Sequence, residues 1–257
     1  MSENAATSRA DDTAPVVLLH GVGLDRTMWD AVRRLLPRDA VALDLPGHGG
    51  ELPLRSAATL DELAEDVQVR MPEGKVHLVG FSLGALIAQH IARYRPEQVA
   101  TLTCVSAVCR RTPEEAAAVS TRLEIAREDF PASVAASIER WYPEGTTVSA
   151  ATVEATRRVL LANDRDSYLH AYEVFATADA VIAPELERIV APTLAVTGEL
   201  DPGSTPEMSR RLAAAVPDAR VVIVPGARHM LPVEDASALA AAITAFIDET
   251  QKVEASA

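Results

Sequence analysis

Cysteine, aromatic residues and positive charge are all scarce in this chain of 257 residues. Two cysteines without a secretory context favour free thiols over a bridge, so Cys104 is expected to pack in a strand. Cys109 lacks the sharp turn that would make it a nucleophile. The net charge of −13 argues against nucleic acid or an anionic membrane as a partner, because both require a positive face.

Membrane-crossing and secretory segments are missing as well. No apolar run approaches the ~20 residues of a membrane span, and residues 1–13 have neither the basic nor the apolar region of a secretory signal. The sequence therefore predicts a cytoplasmic protein with a disordered tail at residues 1–13 and a second tail at 249–257. No HExxH, paired CxxC, metal-spaced carboxylate cluster, GxGxxG or Walker sequence occurs, so we expect neither a metal nor a cofactor.

Short apolar runs alternate with helical patterns along most of the chain, which is typical of βαβ units in a mostly parallel sheet. The expected strands are Val16–Leu19, Ala40–Leu43, Val76–Val79, Val99–Val105, Thr193–Thr197 and Arg220–Val224. The expected helices are Trp29–Leu36, Leu60–Val69, Leu83–Arg95, Pro206–Val216 and Ala236–Ile247. A chain of this length is expected to form one α/β domain with helices on both faces of the sheet.

The alternation stops between residues 110 and 184, where the pattern is helical throughout and prolines punctuate it. We interpret residues 110–184 as a helical cap inserted between two core segments, 14–109 and 185–248. Most of the aromatic side chains lie in this stretch, where their usual role is to hold the helices together. Candidates for lining a substrate pocket are Trp141, Tyr142 and Phe175.

The segment Gly80-Phe81-Ser82-Leu83-Gly84 joins an expected strand to an expected helix. A strand, a sharp turn and a helix form a nucleophile elbow, in which the serine backbone is strained and its hydroxyl projects from the C-terminal edge of the sheet. Such a turn requires small neighbours, which Gly80 and Gly84 supply. The alternative is an ordinary Gly-rich loop. Ser82 is therefore the candidate nucleophile.

A serine nucleophile needs a base, normally a histidine, and the base needs an acid that fixes its tautomer. Among the histidines, His229 is favoured because it follows an expected strand and precedes the last helix, and His48 is the second candidate. Asp201 lies just beyond another expected strand, where Glu199 competes with it. Asp201 is preferred, because Ser, Asp and His then follow in the chain order expected for this architecture.

A tetrahedral intermediate also needs two N–H donors for its oxyanion. One is expected from Leu83, which follows the nucleophile, and the other from Val22 in the Gly-rich loop after the first strand. In that loop His20 is expected to brace the backbone rather than react. A loop of this kind also suits a phosphate, but no nucleotide-binding sequence follows it. The turn-rich loop from Asp44 to Gly50 is assigned a structural role.

Taken together, the motifs Leu19–Gly23, Leu45–Gly49, Gly80–Gly84 and Gly198–Pro202, with His229, resemble those of the α/β-hydrolase superfamily. The resemblance spans nearly the whole chain. It implies an α/β-hydrolase fold, a mostly parallel sheet flanked by helices with an inserted helical cap. It also implies an oxyanion loop, a structural turn, a nucleophile, an acid and a base at these positions.

Within the superfamily, Glu139–Tyr142 and Leu160–Tyr168 resemble cap segments of 3-oxoadipate enol-lactonases and related small carboxylesterases. Two segments depart from that group. Val174–Asp179 stands where the lactonases commonly carry an Arg-Asp-x-Asp element, and Asp44-Leu45-Pro46 is more like the pimeloyl-carrier methyl ester esterases. The resemblance thus implies the chemistry but leaves the substrate open.

The leading hypothesis is a cofactor-independent serine hydrolase that cleaves a small-molecule ester or lactone through an acyl-enzyme. A second hypothesis keeps the same three residues in a lyase or C–C bond hydrolase. The C–C hydrolases of this fold usually have a longer Gly-Pro-Gly oxyanion loop, which is absent after Val22. The third is a non-catalytic small-ligand receptor on the same scaffold.

Overall fold

The computed structural model describes residues 14–256, and in this range a sheet of six parallel strands forms the centre of the protein. The strands are β1 (Val16–Leu19), β2 (Ala40–Leu43), β3 (Val76–Phe81), β4 (Val99–Val105), β5 (Thr193–Gly198) and β6 (Ala219–Val224). Their order is β2-β1-β3-β4-β5-β6, and every neighbouring pair is parallel. The C-terminal ends of all six strands therefore lie along one edge, where ligand sites of such sheets form.

Helices connect the strands and pack against the sheet. They are α1 (Asp30–Leu35), α2 (Leu60–Arg70), α3 (Leu83–Tyr94), α4 (Pro113–Glu128), α5 (Phe130–Trp141), α6 (Ala150–Leu161), α7 (Arg165–Ile182), α8 (Pro206–Ala215), α9 (Leu231–Glu234) and α10 (Ala236–Glu254). The expected parallel sheet flanked by helices is thus confirmed. Across residues 14–256, no helix combines the length and the apolar character needed to cross a membrane.

Buried apolar strands support the centre of the sheet. β1 and β3 are buried along their whole length, as expected for parallel strands that are covered by helices. The rings of Trp29 and Phe81 are fully buried and meet edge-on, with centroids 6.5 Å apart. β3 continues two residues beyond its predicted end, so it carries the chain directly to Ser82.

The last helix is longer than the sequence pattern indicated. The predicted tail at 249–257 is wrong for its first part, because α10 continues to Glu254. Its final turns are held by tertiary contacts: Thr250 is buried, and the Arg38 guanidinium donates a hydrogen bond to Gln251 Oε1 at 2.8 Å. The other predicted tail, residues 1–13, lies outside the described residues.

Four helices, α4 to α7, lie between β4 and β5, and the described structure has no strand in this stretch. They occupy the region that the sequence predicts as an insertion, and we call them the cap. The start of the cap is tied to its last helix, since Asp179 of α7 accepts the backbone N–H groups of Arg110 and Arg111 at 2.9 and 2.7 Å. Asp179 is itself buried, so these two hydrogen bonds fix how the chain leaves β4.

Candidate active site

Ser82 lies in the turn between β3 and α3 and has a strained backbone, with φ 53° and ψ −112°. A non-glycine residue in this conformation persists only where its surroundings enforce it. Close packing at Gly80 and Gly84, two residues to either side of Ser82, enforces this conformation. A Cβ on Gly80 would overlap the Gly84 carbonyl, and a Cβ on Gly84 would lie 2.5 Å from the Leu19 carbonyl oxygen. Any larger residue at either position would open the turn. The predicted elbow geometry is therefore present.

His229 and Asp201 form a buried pair. His229 follows β6, Asp201 follows β5, and His229 Nδ1 lies 2.8 Å from Asp201 Oδ2. The other carboxylate oxygen of Asp201 accepts the backbone N–H groups of Gly203 and Ser204, each at 2.9 Å. Because the carboxylate can only accept, it holds the proton of a neutral imidazole on Nδ1 and leaves Nε2 as the free acceptor.

The electrostatic surroundings keep Asp201 ionised. Burial by itself raises the pKa of this carboxyl, but the adjacent His229 and the N–H groups of Ser204 and Gly203 outweigh burial and lower the pKa below its ordinary value. The side chain of Asp201 is fully buried, whereas that of His229 is slightly exposed. The imidazole is thus anchored on its inner side and accessible on the other.

Ser82, Asp201 and His229 line one cavity of about 40 Å³, between the C-terminal edge of the sheet and the cap. Val22 borders the same cavity. The candidate nucleophile, acid and base therefore share one cavity with the Gly-rich loop after β1.

Two backbone N–H groups near Ser82 are free to act as donors. Within residues 14–256, neither the Val22 nor the Leu83 N–H makes a hydrogen bond to the backbone. Leu83 begins α3, so its N–H belongs to the positive end of a helix, which favours a negative charge at this point. Gly21 lets the Val22 loop come close: a Cβ there would lie only 3.2 Å from Ser82 Cβ.

The histidine that precedes this loop is a brace, as predicted. His20 Nε2 accepts the Leu45 N–H at 2.8 Å, and His20 Nδ1 is paired with the Gly21 carbonyl at 2.8 Å. Burial, followed by the nearby His48, lowers the pKa of His20 to about 3, so its ring stays neutral. His20 therefore joins the Gly-rich loop after β1 to the turn after β2.

The rival candidates do not reach the cavity. His48 Nδ1 is paired with the Pro46 carbonyl at 2.9 Å, and its ring lies outside the cavity that Ser82 lines. Glu199 is exposed and accepts the Gly226 N–H at 2.9 Å instead of pairing with His229.

The two cysteines, Cys104 and Cys109, are free and buried. Burial, with Asp179 nearby, raises the pKa of Cys109 to about 12. A thiol held in that form is a poor nucleophile.

Two of the three aromatic candidates lie at this cavity. Trp141 and Phe175 line the cavity, but Tyr142 does not. Tyr142 stands just after the end of α5, where the backbone leaves the helical conformation, and its hydroxyl is 3.3 Å from Thr156 Oγ1 of α6. It is buried in the cap, so its assignment to the pocket is wrong.

Several lining residues were not predicted. They are Arg122, Ser137, Arg140, Tyr168, Tyr172 and Ser204. A signal existed for the two tyrosines, because with Phe175 they recur at spacings of four and three residues and so share one face of α7. No comparable signal marks the arginines. Among the described residues, no group of three or more His, Cys, Asp or Glu side chains is arranged to hold a metal ion.

Comparison with known proteins agrees with this geometry. The model of the alpha/beta hydrolase family matches residues 16–242. The chain is 27% identical over 241 residues to (E)-2-((N-methylformamido)methylene)succinate hydrolase of Acinetobacter baylyi, covering 92% of this chain and 91% of that one. It is 25% identical over 253 residues to a pimeloyl-[acyl-carrier protein] methyl ester esterase of Neisseria meningitidis, with 94% and 95% coverage.

Among solved structures, the enol-lactonase of Burkholderia xenovorans LB400 superposes with a TM-score of 0.80 at 24% identity, covering 92% of each chain. At this identity the likeness concerns the fold alone. The sheet order, the serine at the elbow and the match of one family model over most of the chain lead to the same conclusion. This protein belongs to the alpha/beta hydrolase family.

Proposed function

We propose that the protein is a serine hydrolase that cleaves a small carboxylic ester or lactone through an acyl-enzyme. The observation that carries the proposal is the convergence of three side chains on one cavity: Ser82 on its strained turn, and His229 paired with a buried Asp201 at 2.8 Å. A hydroxyl, a neutral imidazole and a carboxylate in this arrangement are the parts that nucleophilic acyl transfer requires.

In this mechanism Ser82 Oγ attacks the carbonyl carbon while His229 Nε2 takes the hydroxyl proton. The carboxylate of Asp201 stabilises the resulting imidazolium and keeps the ring oriented. The N–H groups of Val22 and Leu83 bind the oxyanion, and each such donor contributes about 3 kcal/mol to the transition state. His229 then returns the proton to the leaving alkoxide, the acyl-serine forms, and water repeats the sequence to release the acid.

The relatives support hydrolysis, and one of them supports an ester as its target. The Neisseria relative is named as a methyl ester esterase, and the Acinetobacter relative as the hydrolase of a substituted succinate. Both cover more than nine-tenths of this chain, so the comparison includes the cap as well as the sheet. An ester or lactone is the carbonyl substrate that this combination of residues favours.

The test is reaction with a fluorophosphonate probe and with short p-nitrophenyl esters. The wild-type protein is expected to be labelled on Ser82, and Ser82→Ala is expected to lose labelling and about 10⁴- to 10⁶-fold in turnover. Ser209→Ala is the matched control, because Ser209 is a buried serine of α8 that lies outside the cavity. Full hydrolysis by Ser82→Ala would contradict the proposal. Absence of labelling in the wild type would instead favour a non-catalytic small-ligand receptor.

A further inference from the structure

The cavity that Ser82 lines contains two arginines from the cap, Arg122 of α4 and Arg140 of α5. Both side chains are partly buried. The only carboxylate among the lining residues is Asp201, and His229 already occupies it. A protein with a net charge of −13 thus surrounds its candidate nucleophile with an excess of positive charge.

Neither arginine forms an ion pair with an acidic side chain in the described part of the chain. The Arg140 guanidinium donates to Ser137 Oγ at 3.1 Å and lies 6.0 Å from the centre of the Trp141 ring. For Arg122, no hydrogen bond or ion pair with residues 14–256 is found. A guanidinium carries five donors, so most of the hydrogen-bonding capacity of this pair is unused.

Several other partly buried arginines of this protein pair with carboxylates. Arg211 binds Glu115 at 2.6 Å, close to the base of the cap, and Arg93 binds Glu185 at 2.8 Å beside α7. Surface arginines of the cap are also paired, as Arg127 is with Glu124 at 2.6 Å. Within the described residues the guanidinium of Arg111 has no carboxylate either, but it donates to the Phe175 and Ala176 carbonyls. The two arginines of the cavity have no carboxylate in an ion pair in this range, although the chain is rich in acidic residues.

The arrangement is electrostatically costly without a ligand. Burial and then the positive charge of Arg122 lower the pKa of Arg140, and they outweigh the opposite effects of the nearby tyrosines and of Asp201. The two guanidiniums are thus close enough to repel each other in a partly desolvated space. An anion placed between them removes that repulsion and satisfies the unused donors at the same time.

We propose that Arg122 and Arg140 form a carboxylate-binding subsite, so that the preferred substrates are esters or lactones that carry a free carboxylate. The planar fork of a guanidinium matches the two oxygens of a carboxylate, which gives orientation as well as affinity. The proposal rests on Ser82 being the nucleophile, since the bound carboxylate is what places the ester carbonyl against it.

The buried hydroxyl of Ser204 supplies a further donor. Ser204 is 1% exposed, lines the cavity, and its Oγ has no hydrogen-bond partner among residues 14–256. Unsatisfied buried polar atoms are rare in folded proteins, and at a binding site they are commonly satisfied by the ligand. A polar, anionic substrate therefore fits this cavity better than a hydrocarbon-like ester.

The experiment compares monomethyl and dimethyl esters of the same dicarboxylic acids, from succinate to adipate, by following methanol release. Wild-type kcat/KM is expected to be about 10- to 100-fold higher for the monomethyl esters, the range expected from hydrogen bonds to charged groups. Arg122→Gln and Arg140→Gln are each expected to lose about tenfold on the monomethyl esters, chiefly through KM, with little change on the dimethyl esters. Arg140→Lys is expected to recover part of the loss.

Arg127→Gln is the matched control, since Arg127 lies on the same helix as Arg122 but outside the cavity, and it should behave as the wild type. Thermal melting of each variant checks folding.

Titration calorimetry with succinate tests the subsite without catalysis. Succinate should still bind to Ser82→Ala, and this binding should be lost when Arg140→Gln is added. Equal losses on both ester series, or no wild-type preference, would overturn the subsite. Hydrolysis that survives Ser82→Ala would overturn the proposed function instead.

Discussion

The indole ring of Trp141 stacks on the imidazole of His229, with ring centroids 5.6 Å apart and planes inclined by 26°. Phe81, which immediately precedes Ser82, also contacts this imidazole, with centroids 5.0 Å apart. The proposed base is therefore held by one ring from cap helix α5 and one from the central strand β3. The cap therefore covers the cavity and also contributes to the position of the proposed base.

The stacked pair leads to a prediction for two adjacent aromatic residues. Trp141→Ala is expected to lower kcat/KM for p-nitrophenyl acetate by about tenfold, because an aromatic contact of about 1 kcal/mol is lost and water gains access to the imidazole. Tyr142→Phe should leave activity nearly unchanged, since it removes only the contact with Thr156. Steady-state kinetics on both variants makes the comparison, and equal losses would show that Trp141 acts only through the stability of the cap.

The identity of the acid can be tested with two isosteric changes. Asp201→Asn is expected to reduce kcat by about 10³- to 10⁴-fold, because an amide no longer holds the His229 proton on Nδ1. Glu199→Gln is the control, since that carboxylate is exposed and accepts only the Gly226 N–H. If Glu199→Gln proved the more damaging substitution, Asp201 would not be the orienting acid.

The close packing around the elbow glycines predicts that an alanine there destabilises the fold more than an alanine at a glycine with open space. Gly84→Ala is expected to destabilise the fold by at least 1–3 kcal/mol and to abolish activity, because its Cβ would meet the backbone carbonyl of Leu19 at 2.5 Å. Gly50→Ala is the control: the nearest atom to its added Cβ is Asp44 Oδ2 at 3.6 Å, and its φ is not positive. Urea unfolding measures both, and equal midpoints would contradict the close packing of the turn.

The buried histidines predict a dependence of stability on pH. Burial lowers the pKa of His20 from 6.5 to about 3, so between these pH values the unfolded chain binds a proton that the folded chain does not. The free energy of unfolding therefore decreases as the pH falls through this window. His20→Asn should be less stable at pH 7, because the pairing with Leu45 is weakened, but its stability should decline less steeply toward acid.

His77 allows an independent check of how a buried histidine makes the free energy of unfolding depend on pH. Burial lowers the pKa of His77 to about 4, so His77→Gln should flatten the pH dependence over a narrower window, from 6.5 down to about 4. Urea unfolding at intervals of half a pH unit measures the slopes. Slopes identical to that of the wild type in both variants would mean that carboxylates alone determine the acid sensitivity.

The strands and the residues that follow them were predictable from local pattern. β-branched runs located the six strands. Ser82 comes directly after β3, and Asp201 and His229 lie in the loops that follow β5 and β6. In a parallel sheet all such positions meet at one edge, so strand assignment alone brought these residues together. Tertiary contacts, in contrast, decided the end of α10, because Thr250 is buried only through packing of the helix on its neighbours.

The cap shows where local pattern stops being informative. Its helices could be recognised from their proline boundaries and apolar spacing, but helical periodicity does not say toward which neighbour a face turns. Trp141 and Tyr142 are adjacent, yet one stacks on His229 and the other binds Thr156. The break in helical geometry after α5 separates them. Pro143 marks this helix end in the sequence, but a helix boundary does not say which neighbour each ring contacts.

The sequence by itself determined the candidate nucleophile, acid and base, because each is specified by its place after a strand and by chemistry that few residue types can perform. It also specified the sharp turn at Ser82, because only glycine, which has no side chain, fits at positions 80 and 84. Only the tertiary structure decided that Arg122 and Arg140 face the cavity. Their positions depend on how α4 and α5 pack against α7 and the sheet edge, and that packing is the sum of many weak, non-directional contacts.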